Sequence, residues 1–162
     1  MRFRLVVACL LCFFSSAANS QDVLPWLAQS ITKAEDKNTL SYFTLAGDIC
    51  TFDQDALDAV VEGVFIRGRI KPDSNGWTIG DLYLQVVATC VDVTVGGTKK
   101  GVAIDISIYF GKITSDAHIL YDYNFGDVIT RATASDPLLD IQKHVEKALT
   151  TYLQVNFDLT PD

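Results

Sequence analysis

Residues 102–110 read VAIDISIYF. Val102, Ile104, Ile106, Ile108 and Phe110 alternate with Ala103, Asp105, Ser107 and Tyr109. Successive side chains of a β-strand point to opposite faces, so this stretch builds one apolar face and one polar face. It reads as a half-buried strand with Ile106 in the core and Asp105 outside. A strand of this kind belongs in an antiparallel sheet with one covered face, and that expectation organises the rest of the chain.

Upstream, Gly96-Gly97-Thr98-Lys99-Lys100-Gly101 reads as a hairpin loop. Before it, Ile79 to Val95 is another extended stretch. Leu82, Leu84, Val86 and Ala88 share one parity, and Val91, Val93 and Val95 share the other. At this length it would stretch roughly 56 Å, against a radius of gyration of about 14 Å for a domain of this size. The strand is therefore expected to bend, bulge or break. The parity change at Ala88-Thr89-Cys90 is the expected place for a bulge.

Downstream, a turn near Thr114-Ser115-Asp116 leads to a strand with Ile119, Tyr121, Tyr123 and Phe125 on one face. Asp136-Pro137 then supplies a cap and a first-turn proline for a long helix. Its apolar stripe is Leu138, Ile141, Val145, Leu149, Tyr152 and Leu153. From about Asn156 the acidic tail is expected to fray.

In the first half, Asp22 and Pro25 open a helix with Leu24, Leu27, Ile31 and Ala34 on one face, ending near Asn38. Leu40 to Cys50 reads as extended. Asp53 caps a short helix, Gln54 to Glu62, with Gly63 as its stop. Val64 to Lys71 reads as a strand, with Arg67 and Arg69 on one face. The turn Pro72-Asp73-Ser74-Asn75-Gly76 folds it against a strand starting at Trp77. Arg67, Arg69 and Trp77 are the candidate ligand or partner contacts, as an Arg–aromatic strip on that hairpin. The fold class is α+β: an antiparallel meander of four to five strands covered by N-terminal and C-terminal amphipathic helices.

The N-terminus decides where the protein works. Arg2 and Arg4 precede an apolar run, Leu5 to Phe14, followed by small and polar residues to Ser20. This is the layout of a secretory signal peptide, with cleavage before Gln21. The run is half the length that a membrane-spanning helix needs. Val6-Val7-Ala8-Cys9 resembles a lipid-attachment site, but too few apolar residues precede Cys9. Residues 1–20 are thus a signal peptide and residues 21–162 a single exported domain, secreted or periplasmic, with no membrane span.

After cleavage the chain carries 11 basic and 20 acidic residues, a charge of −9. That balance opposes binding to nucleic acid or to an anionic membrane, both of which need clustered Lys and Arg. Cys9 and Cys12 leave with the signal. Cys50 and Cys90 remain, and in an oxidising compartment they are expected to pair.

No catalytic motif is present. His118 and His144 have no ligand spacing, and there is no CxxC, G-x-S-x-G or H-E-x-x-H. The acids from Asp53 onward fail the EF-hand pattern, because Leu57 and Asp58 stand where Asp or Asn and then Gly are required. No cofactor, metal site or catalytic residue is expected. The leading expectation is a non-enzymatic binding protein acting on an extracellular or periplasmic macromolecule, such as an inhibitor. A carrier of an apolar small molecule or lipid is the second reading, with Tyr121 and Tyr123 as polar handles. A carboxylate-dependent hydrolase is the third.

Overall fold

A computed structural model describes residues 23–74, 78–131 and 136–157. Along the chain run α1 (Pro25–Ile31), β1 (Thr39–Ala46), α2 (Gln54–Arg67), β2 (Lys71–Asp73), β3 (Leu82–Val95), β4 (Thr98–Ile113), β5 (His118–Leu120), β6 (Val128–Arg131) and α3 (Pro137–Phe157). The strands form one sheet in the order β2-β1-β3-β4-β5, with β6 also on β4. The fold is α+β, with helices flanking the sheet. The β3–β4, β4–β5 and β4–β6 pairs are antiparallel, as the alternation of residues 102–110 implies. The sheet as a whole is mixed, because β1 runs parallel to both β2 and β3.

The parallel pairs follow from α2, which runs on where the sequence suggests a stop. Asp53 caps the helix as expected, its carboxylate accepting the Ala56 N–H at 2.9 Å. Gly63 does not end it. Leu57, Val61, Val64 and Phe65 are all buried, at helical spacing. Burying Val64 and Phe65 is worth a few kcal/mol, more than the ~1 kcal/mol that an internal glycine costs a helix. The predicted strand over Val64–Lys71 is therefore corrected: only Lys71 is extended, and it opens β2. The hairpin predicted from it is replaced by a β1–α2–β2 crossover, the connection parallel neighbours require.

The helix closes in a Schellman motif. Ile70 N–H donates to Phe65 O at 2.9 Å and Arg69 N–H to Ile66 O at 3.0 Å. Arg69 takes φ +56°, the left-handed region. Ile70 and Phe65, both buried, make the apolar contact that accompanies the motif.

Two other boundaries move. The first helix ends at Ile31, seven residues short of Asn38, and its N-cap is Leu24, which makes no side-chain cap bond; Asp22, expected to cap it, lies outside the described residues. The cause lies in α3. Asn156 is buried, accepts Lys33 N–H at 2.8 Å, and donates to Ile31 O and Tyr152 O at 3.0 Å each. Asn156 is thus a clasp between α1 and α3, and α3 continues to Phe157; the rest of the tail expected to fray lies outside the described residues. The last helix otherwise begins where expected, with Asp136 accepting Leu138 N–H at 2.9 Å.

β3 is one continuous strand, and the expected bulge at Ala88–Cys90 is absent. Leu82, Leu84, Val86, Ala88 and Cys90 keep the same inward parity and are all buried. The register shifts instead between Val93 and Thr94. The length is accommodated because the β3–β4 hairpin runs beyond β1, whose last partner is Ala88.

The strand expected over Ile119–Phe125 is also shorter. After Leu120 the chain becomes an irregular strap on the edge of β4. Phe125 N–H donates to Ile108 O and Ile106 N–H to Asp127 O, each at 2.9 Å. Between them the Asn124 side chain accepts Ile108 N–H at 2.8 Å and Gly126 N–H at 2.9 Å. Gly126 is required there, since a Cβ would lie 1.8 Å from Ile106 O. β6, which follows, has no counterpart in the sequence reading.

The core lies between the sheet and the helices. Leu84, Val86, Ile106, Ile108 and Phe110 pack with Ile141, Val145 and Tyr152 of α3 and with Leu57 and Phe65 of α2. Cys50 and Cys90 are bonded, with Cα atoms 5.1 Å apart, tying the loop after β1 to β3.

Candidate functional site: an uncovered sheet face

Alternation assigns the odd-numbered residues of β1, β3 and β4 to the face turned away from the helical core. The register sets Leu45 beside Val87 and Ser107, then Thr89 beside Asp105 and Val128, then Val91 beside Ala103 and Thr130. These three rows are adjacent. Leu45 is 49% exposed, Val91 58% and Val128 62%, while Val87 and Ala103 are half-buried. These apolar residues share one uncovered face, interleaved with Thr89, Asp105 and Ser107, and apolar side chains exposed together mark interaction surfaces more than isolated ones do. Asp48, Asp105 and Asp127 are exposed at and around it.

At the other end the same face is closed. Tyr83 is buried and lies over Gly111, where a Cβ would come within 2.6 Å of its ring. The His118 ring stands 6.0 Å away, edge-on. Burial raises the pKa of the Tyr83 hydroxyl, and the neighbouring Tyr121 adds to this.

On the helical side of the sheet, two carboxylates of α2 are engaged by β1. Tyr42 OH donates to Glu62 at 2.5 Å, and Thr44 Oγ1 donates to Asp58. Gln54 donates to Asp58 at 2.8 Å and to Thr44 at 2.7 Å, and accepts Ala46 N–H at 2.9 Å. Burial, then the Glu62 bond and the Glu62 and Asp58 charges, hold the Tyr42 hydroxyl well above its usual pKa. It is therefore a proton donor within this cluster at ordinary pH and no base.

A separate surface cleft of about 360 Å³ lies between the end of α1 and the start of β3, lined by Lys33, Glu35, Asp81 and Lys112 among others. Lys33 Nζ is committed to Thr39 O at 2.6 Å. Among the described residues, no group of three or more His, Cys, Asp or Glu is placed to hold a metal ion.

The residues singled out from sequence are not brought together. Arg67 ends α2 and pairs with Glu146 of α3 at 3.0 Å on the surface. Arg69 is the left-handed residue after α2. Neither lies on a strand face, because the strand that would have carried them is helix. Trp77 lies outside the described residues. His118 is exposed in β5, and His144 Nδ1 lies 2.8 Å from Phe125 O, joining α3 to the strap. The valines of the uncovered face are what the sequence reading missed. Their signal is the second parity of residues 91–95, which in sequence alone reads equally as a bulge that swaps faces.

No protein-family model matches the chain, and no curated protein does. Among solved structures, the chain is similar to a minor lipoprotein from Acinetobacter baumannii, at 10% identity and a TM-score of 0.36, over 74% of this chain and 92% of that one. It is also similar to rare lipoprotein B from Shewanella oneidensis, at 12% identity and a TM-score of 0.32, over 70% of this chain and 91% of that one. Both likenesses are remote in shape as well as sequence. Among the described residues, no helix is long and apolar enough to cross a membrane.

Proposed function

We propose that this chain is an exported, non-enzymatic interaction protein whose uncovered sheet face seats a patch of another protein. The observation that carries the reading is the exposure of Leu45, Val91 and Val128 on one face of a sheet whose other face, from Leu82 to Cys90 of β3, is buried against the helices. Removing such surface from water stabilises a complex by roughly 25 cal/mol per Å² before the costs of association. The exposed aspartates around the patch favour a partner with Lys or Arg at its rim. Export rests on residues 1–20, read as a signal peptide cleaved before Gln21, and on the Cys50–Cys90 bridge, which suits an oxidising compartment.

The other readings have less support. A carrier needs space inside, yet Leu84, Val86, Ile106, Ile108 and Phe110 have no accessible surface, so no water-sized void adjoins them. A paired-carboxylate hydrolase needs two carboxylates flanking an open substrate position. Asp58 and Glu62 instead accept hydroxyl bonds from the neighbouring strand.

The test is capture of partners from the native compartment by immobilised mature protein. Leu45→Asp and Val128→Asp should fold with unchanged melting temperatures and lose the captured protein. Asp55→Ser, on an exposed turn of α2, should keep it. Equal capture by all three would refute the sheet face as the binding surface.

A further inference from the structure

Several stretches of the sheet edge are blocked, and one long stretch of β3 is not. At the β2 end the edge strand is three residues long and contains Pro72, flanked by Lys71 and Asp73, a composition that discourages further pairing. Where β1 runs past β2, the Gln54 side chain takes the Ala46 N–H. On β4 the strap and Asn124 occupy the groups between β5 and β6. β3 is different. Its pairing with β1 ends at Ala88, and Gly47 N–H reaches Ala88 O at 2.9 Å. The Cys50 bridge then covers Cys90. Beyond it, among the described residues, no strand pairs with Val91–Val95 on that side.

The direction of the Ala88 carbonyl fixes which groups face this gap. N–H and C=O groups of even-numbered residues point the same way as those of Ala88, so Asp92 and Thr94 present theirs outward. Val91, Val93 and Val95 carry their side chains on one face and are 58%, 37% and 64% exposed. Asp92 lies on the other face and pairs with Lys99 at 2.6 Å.

We propose that this edge pairs with itself: two copies of the chain join β3 to β3 antiparallel about a two-fold axis through Val93. This register sets Asp92 opposite the second copy's Thr94, as hydrogen-bonded pairs, and Val93 opposite Val93, as a non-hydrogen-bonded pair. Val91 then meets Val95 in both directions, so one face of the junction is a ladder of β-branched pairs. The other face carries two Asp92 and two Lys99 and is neutral, in a chain with a net charge of −7. Shifting the axis to Asp92 would set like charges directly opposite, which disfavours that register. Gly96 then falls opposite Cys90, where the absence of a side chain leaves room beside the bridge. The occupant is a second copy because the edge is its own complement in length, shape and charge. The inference is independent of the heterologous partner proposed above, since it is read on purified protein alone.

Sedimentation of the mature, oxidised protein over a dilution series should show reversible dimerisation. Val93→Lys should abolish it without lowering the melting temperature, because position 93 is exposed in the monomer. The register has its own readout. Val93→Cys should cross-link to itself under oxidised glutathione, because facing Cα atoms about 4.5 Å apart suit a disulfide. Val91→Cys alone should not, but mixed with Val95→Cys it should give a cross-linked heterodimer. A wild-type chain that stays monomeric at the highest soluble concentration overturns the proposal. So does a Val91→Cys homodimer forming as readily as the Val93→Cys one.

Discussion

Arg69 occupies the position after a helix where glycine is the usual choice, and it holds a left-handed φ of +56°. For a residue with a Cβ that conformation costs roughly 1–2 kcal/mol. The Schellman bonds and the burial of Ile70 behind it outweigh the strain. Arg69 is exposed, so its side chain adds little packing. Arg69→Gly should therefore stabilise the fold, the relieved strain exceeding the added entropy of the unfolded chain by about 0.5–1 kcal/mol. Urea unfolding of the two proteins measures the difference, and a glycine variant less stable than the parent would contradict this account of the cap. Arg67, two residues earlier, offers no such gain. Its exposed bond to Glu146 is of the kind worth about 0–1 kcal/mol.

β4 shows what alternation encodes well. Ile104, Ile106, Ile108 and Phe110 are buried and Asp105 is exposed, as the pattern of residues 102–110 requires. Ile106→Asp should unfold the domain, since an unpaired buried carboxylate costs several kcal/mol, comparable to the stability of a small domain. Asp105→Ser should be nearly silent in a thermal melt. The long stripe of α3 was legible for the same reason: period and burial agree over many turns. α2 was not. Its second half is rich in β-branched residues, and Gly63 imitates a stop, so local preference favoured a strand while the fit of Val64 and Phe65 into the core decided for helix. The strap over residues 121–127 was illegible for another reason. Its place depends on one side chain, Asn124, substituting for a strand's backbone, and no periodicity announces that. The uncovered face failed at a third point. Exposure of Val91, Val93 and Val95 depends on where β1 stops, which is a property of the assembled sheet.

At the scale of the molecule, the Cys50–Cys90 bridge links segments 40 residues apart. A closure of that length is worth roughly 4 kcal/mol in the chain-entropy picture. Cys50→Ala with Cys90→Ala should lower stability by about 2–5 kcal/mol, read from chemical denaturation, and leave capture of the partner intact once folded. Loss of capture at an unchanged melting temperature would assign the cysteines a direct role in binding. The bridge also has a kinetic meaning. β3 and β4 find each other through a short turn, but β1 and β3 are parallel and have no turn to guide them; such non-local pairing is slow to form. The bridge sits just past the last β1–β3 pair, Ala46 with Ala88. Once it has closed, the two strands meet at a fixed end, and their ladder zips from there as a hairpin's would. Before it closes, the register must be found by search across the whole β1–α2–β2 crossover. The order of oxidation and folding therefore sets how long the apolar faces of β1 and β3 stay unmatched, and with it how long the folding chain is open to aggregation.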